Sequence, residues 1–223
     1  MANGWWNNGG AIAGCVLAYN SVGAASLAAS YSNLFNPGTY DAAPGTAPTW
    51  AYGTGWTFNG TTQYLTTGYT PPNQAAFSAI VRFSGASTSG TRALLATPNT
   101  GVSINLGIFQ ALFPAPYYVN GAGVSGAAAV SSGVLAIATN QGYKNGATDG
   151  TSFVGAGAAW KTMFVAAYNG GSVANFFSGS VQALAIYNTT LTLTEIQTLT
   201  TAMNALPTAT AKPMMMQAAA LMG

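Results

Sequence analysis

Short segments of alternating apolar and polar residues, each cut off by Gly, Asn or Ser, constrain this chain more than any other feature. In "FSAIVRF" (77–83), Phe77, Ala79, Val81 and Phe83 fall on one face, which is the period of two that a strand imposes. "VSINLGIF" (102–109) groups Val102, Ile104, Leu106 and Ile108 in the same way. "GVLAIAT" (133–139), "TMFVAAY" (162–168) and "GSVQALAIYN" (179–188) continue the pattern of short β-prone runs between turns. "WTFNGTTQYLTT" (56–67) reads as two strands joined at Asn59-Gly60, with Trp56 and Phe58 sharing a core-facing side.

One helix is expected, near the end. In "LTLTEIQTLTTAMNALP", Thr192 and Glu195 have the spacing of a capping box. Ile196, Leu199, Met203 and Leu206 form an apolar stripe that Pro207 ends. Many strands with a single terminal helix predict an all-β antiparallel sandwich. The domain spans 12–206, between an N-terminal arm (1–11) carrying Trp5 and Trp6 and a C-terminal apolar arm (207–223).

Charge narrows the function classes. Only 4% of the 223 residues are charged, against roughly 25% in an ordinary soluble domain. They are Asp41, Arg82, Arg92, Lys144, Asp149, Lys161, Glu195 and Lys212, and there is no His. Scattered cations do not make a phosphate-neutralising surface, so no nucleic-acid partner is expected. No apolar run approaches the length of a membrane span, so no membrane partner is expected either. "MANGWWNNGG" has neither a basic nor an apolar leader region, and no signal peptide is expected. Cys15, the sole cysteine, reads as a small buried apolar position. A surface with so little like-charge repulsion suits a protein packed against neighbours.

"YKNGATDGTSF" (143–153) is the one polar cluster. Asn145-Gly146 fits a two-residue hairpin turn, and Asp149-Gly150 a second turn in which Asp149 caps backbone amides. The alternative is a glycan or calcium contact through Asp149 with help from Asn145 and Tyr143. Tyr168 and Asn169 are further sugar-contact candidates, as are Tyr117 and Tyr118. No catalytic residue and no cofactor is assigned. Nucleophile–His systems lack their His, and no pair of facing carboxylates is apparent for glycoside hydrolysis. Three scattered carboxylates also argue against a metal site. A protein without enzymatic activity is therefore expected.

The order of segments resembles the laminin-G-like, concanavalin A-like jelly-roll superfamily over roughly 12–206. The matching elements are Phe58-Asn59-Gly60, Tyr143-Lys144-Asn145-Gly146, the run from Phe176 to Asn188, and Leu191 to Ile196. The acidic residues often found in that superfamily's final strand are replaced here by Gln182-Ala183-Leu184-Ala185. The run including "AASYSNLFNPGTYDAAPGTAPTW" looks most like uncharacterised concanavalin-like proteins encoded among tailed-phage structural genes. The resemblance implies a virion structural protein, either a capsid decoration or a tail-associated subunit. Its partners would be copies of itself or other virion subunits such as a major capsid protein. A carbohydrate-binding attachment module, contacting cell-surface glycans, is the alternative, with an extracellular adhesin or filament subunit as a third class. Under the assembly reading, Trp5 and Trp6 at one end and Met214, Met215, Met216, Leu221 and Met222 at the other would dock on neighbours, because a Met-rich tip suits an adaptable apolar contact.

Overall fold

The computed structural model describes residues 4–72, 76–97, 106–112, 115–120, 122–152, 161–169 and 172–208. The first strands are β1 (Cys15–Asn20), β2 (Ala43–Thr46), β3 (Thr49–Ala51), β4 (Gly55–Asn59), β5 (Tyr64–Thr66) and β6 (Ser78–Ser84). Next come β7 (Arg92–Ala96), β8 (Leu106–Leu112), β9 (Ala115–Asn120), β10 (Ala122–Ser125), β11 (Gly133–Ala138), β12 (Gln141–Lys144) and β13 (Ala147–Thr148). The last are β14 (Phe164–Val165), β15 (Tyr168–Asn169), β16 (Val173–Ala174) and β17 (Ser178–Tyr187). An eight-stranded sheet runs β13-β12-β11-β6-β17-β4-β3, with β1 also paired to β17, and a seven-stranded sheet runs β10-β9-β8-β7-β14-β5-β2. β15 and β16 form a separate pair. The pairings within both sheets are antiparallel.

The core lies between the two sheets. Phe77, Ala79, Val81 and Phe83 from β6 and its approach all point into it, as the alternation requires. Leu106 and Ile108 do the same; Val102 and Ile104 lie outside the described residues. Trp56 is fully buried, and its indole Nε1 donates to Ser30 Oγ at 2.6 Å. That bond ties the core to α1 (Leu27–Ser30), a single helical turn.

The eight-stranded sheet is buried on its outer face as well. Ile80, Val134, Ala136, Ala183, Ala185 and Tyr187 meet α2 (Leu193–Asn204) through Ile196, Leu199 and Met203. This explains why β6 and β17 read as nearly continuous apolar runs: a strand covered on both sides has no polar side. In β17 the face changes partway. Val181, Leu184 and Ile186 point inward while Ala183, Ala185 and Tyr187 point outward, because a register shift between Val181 and Ala183 inserts one extra residue.

The helix starts as its sequence predicts. The Thr192 amide donates to Glu195 Oε2 at 2.7 Å, and the Glu195 amide donates to Thr192 Oγ1 at 3.3 Å. Its far end is held by a residue that the capping pattern does not reveal. Arg82, on the outer face of β6, donates from Nη1 to the carbonyls of Met203 (2.7 Å) and Leu206 (3.4 Å). A cation there meets both the unpaired carbonyls and the negative end of the helix dipole.

The two strands expected around Asn59-Gly60 are present, with β4 in the eight-stranded sheet and β5 in the seven-stranded one. Asn59 Oδ1 accepts from the amides of Thr61 and Thr62, so the loop is a side-chain-capped crossing between layers and not a hairpin. The N-terminal segment is also no free arm: Trp6 is buried with Ile12 on the outer face of the eight-stranded sheet. Tyr187 donates its hydroxyl to the Trp6 carbonyl at 2.7 Å, and Trp5 packs edge-on against Trp6. Both indoles contact their own domain because the outer sheet face leaves apolar area beside α2 that they cover. Met214, Met215, Met216, Leu221 and Met222 lie outside the described residues.

Candidate functional site

The hairpin expected at Asn145-Gly146 is present. Lys144 pairs with Ala147, and both turn residues have positive φ (52° and 81°), as a two-residue type I′ turn demands. Asn145 Oδ1 accepts from the Val134 amide at 2.9 Å, which fixes the turn to β11.

The sugar-contact candidates around this hairpin do not converge on a surface. Tyr143 faces outward under α2 and is 7% exposed. Asp149 is 4% exposed and accepts from the Tyr118 hydroxyl (2.8 Å) and the Ala127 amide (2.7 Å), with Lys144 Nζ at 3.6 Å. Its oxygens are thus taken up by the fold's own donors. Tyr168 packs beside Phe109 on the outer face of the seven-stranded sheet and is likewise buried. The Asn169 backbone pairs with Val173. The side chains of Tyr143, Asp149 and Tyr168 thus lie in three different places. Among the described residues, no three His, Cys, Asp or Glu side chains come together to hold a metal ion.

A different surface is open. On β5, Leu65 points into the core, so Tyr64 and Thr66 point outward; on β14, Val165 points inward and Phe164 outward. The register pairs Phe164 with Thr66, which places Tyr64 and Phe164 side by side with ring centroids 5.2 Å apart. Phe176 extends the aromatic patch at 6.4 Å from Tyr64. Tyr64 and Phe164 floor a groove of about 350 Å³, rimmed by Gly45, Thr66, Lys161 and Thr162. A Cβ at Gly45 would lie 2.0 Å from Tyr64 Cζ, so any side chain there would displace the Tyr64 ring. All three aromatics are half-buried, with part of each ring available to a ligand.

Sequence reasoning missed this groove because its parts come from segments far apart in the chain. The available signal was parity: Leu65 and Val165 had to face the core, which turns Tyr64 and Phe164 out. Only the sheet order makes them neighbours.

A second groove, of about 440 Å³, runs along α2 between Asn8 and Thr194, Gln197, Thr198 and Thr201. It has hydroxyls but no aromatic floor.

Two stacked antiparallel sheets make this chain an all-β sandwich with a short helix near the end of the domain. No protein-family model and no curated protein sequence matches the chain. Solved structures do. The Trypanosoma rangeli sialidase in complex with sialic acid superposes with a TM-score of 0.61 at 16% identity, over 87% of this chain and 34% of that one. A mutant of the same sialidase displaying trans-sialidase activity gives 0.55 at 18%, over 85% and 33%. A carbohydrate-binding module, Ruminococcus gnavus IT-sialidase CBM40 bound to sialyllactose, gives 0.44 at 14% over 57% and 85%, a likeness too slight to bear on the fold. The chain spans about a third of the sialidases it matches, and at such identity the likeness establishes the fold and not the chemistry.

The expectation that the chain is no enzyme is corrected by this finding. The structures sharing its fold over most of its length are sialidases, which are enzymes. Missing His and missing paired carboxylates were weighed against enzymes whose sandwich carries the whole active site. They do not separate this fold from enzymes in which it matches one part of a longer chain.

Proposed function

We propose that this chain is a carbohydrate-binding module that attaches to a glycan through the outer groove of the seven-stranded sheet. The observation that carries the reading is the half-buried Tyr64–Phe164 floor beside the hydroxyls of Thr66 and Thr162. One face of a pyranose ring is largely C–H and packs on aromatic rings, while its edge hydroxyls need donors and acceptors at the rim. The groove has both. The likeness to part of sialidase chains supports the fold on which such a module is built; the site argument rests on the groove alone.

A place on a virion surface is a setting for such a module and not a rival to it, since attachment to a glycan-coated cell would use the same groove. That placement is supported by the order of sequence segments and the 4% charge. The test is an immobilised glycan array probed with wild type and Tyr64→Ala. Wild type should retain a defined set of saccharides, and the variant should lose them while still melting cooperatively. Binding that survives the substitution, or no binding by wild type, refutes the reading.

A further inference from the structure

The five cations of the chain differ sharply in what they touch. Arg82 is bonded to the carbonyls that end α2. Arg92 donates to the carbonyls of Phe176, Gly60 and Ser89. Lys144 reaches Asp149 and the Ala128 carbonyl. Lys212 lies outside the described residues. Lys161 is the one cation among the described residues that has no protein partner, and it is exposed on the rim of the aromatic groove.

The carboxylates are equally informative. Asp41 accepts from the amides of Asn33 and Gly38, Asp149 is enclosed by Tyr118, Ala127 and Lys144, and Glu195 caps α2. None lines the groove. In a chain this poor in charge, an unpaired ammonium beside an aromatic floor creates a local positive field with little to oppose it.

We infer that the groove selects acidic saccharides, with Lys161 meeting a sugar carboxylate while Tyr64 and Phe164 carry the ring. The inference rests on the carbohydrate reading above and deepens it. Tyr64 would supply affinity for any stacked ring, and Lys161 would supply the preference for charge. Because Lys161 is exposed, the preference should be modest and salt-sensitive: about fivefold at low ionic strength, which is the scale of an exposed ion pair.

The experiment is calorimetric titration with two matched pairs: sialyllactose against lactose, and oligogalacturonate against its methyl ester. Wild type should bind the acidic member of a pair about fivefold more tightly. Lys161→Gln should bind both members as wild type binds the neutral one. Tyr64→Ala should weaken both members alike. Salt should erase the wild-type preference and leave Lys161→Gln unaffected. Equal binding of both members by wild type, or a preference that persists in Lys161→Gln, overturns the inference while leaving the carbohydrate reading intact. Binding insensitive to Tyr64→Ala overturns both. Lys161 makes no bond to any described residue, so an unchanged melting temperature of Lys161→Gln serves as the folding control.

Discussion

Raising the pH should unfold this protein steeply, and the structure sets the scale. Burial pushes the Cys15 thiol up to about 12. Tyr19, Tyr118 and Tyr187 are raised further, by burial first and then by the nearby charges of Asp41, of Asp149, and of Cys15 and Glu195 respectively. All four hold their protons in the fold and release them in the unfolded chain. Below about pH 8 both states are neutral at these groups, so they add no pH dependence. As pH rises past the unfolded values, the unfolded chain binds fewer protons than the native one and stability falls. At about pH 11 each tyrosine contributes a loss of roughly 1.4 kcal/mol and Cys15 roughly 2.7, together about 7 kcal/mol. Whole-domain stability is about 5–15 kcal/mol. Urea melts followed by far-ultraviolet circular dichroism, repeated from neutral pH upward, should show flat stability to about pH 8, a shallow decline to about pH 10 and cooperative collapse between about 11 and 12. Tyrosinate absorbance should rise with that collapse. If all eleven tyrosines ionised near pH 10 with the fold intact, the burial argument would be wrong.

Arg82→Ala should cost about 2–4 kcal/mol, since it strands the buried carbonyls that end α2 and removes a charge-assisted bond, and Arg82→Lys should recover only part of the loss in chemical melts. Trp6→Ala should cost about 3 kcal/mol in the isolated monomer; no loss there would return the indole to the role of a contact for a neighbour. Asp149→Ala should cost about 3 kcal/mol by leaving the Tyr118 hydroxyl and the Ala127 amide unpaired, while saccharide binding, measured on the same sample, stays unchanged.

Local pattern carried much of the fold. β6 and β11 were legible because their inward residues alternate without interruption, β17 because it is apolar on both faces, and α2 because Thr192 and Glu195 sit three residues apart. Trp56 was legible as core because Phe58 shares its face. What escaped depended on long-range geometry. Nothing within "WTFNGTTQYLTT" distinguishes a hairpin from a loop that crosses between layers, since both use the same Asn-Gly turn chemistry. Arg82 gives no local sign that it will meet a helix end 121 positions later in the chain. The Tyr143–Asp149 hairpin concentrated polar residues and so drew attention, yet Tyr143 and Asp149 are buried and Asn145 is bonded to the Val134 amide. The groove was hidden for the opposite reason: Tyr64, Phe164 and Lys161 are unremarkable apart, and become a surface only when β5 and β14 are neighbours.

The most direct test is a nuclear magnetic resonance titration of the protein with a saccharide retained on the array. The account predicts amide shifts centred on Gly45, Thr66, Thr162 and Phe164, with the largest ring-proton changes at Tyr64. Shifts centred instead on the hairpin from Tyr143 to Asp149, or spread along α2, would contradict it.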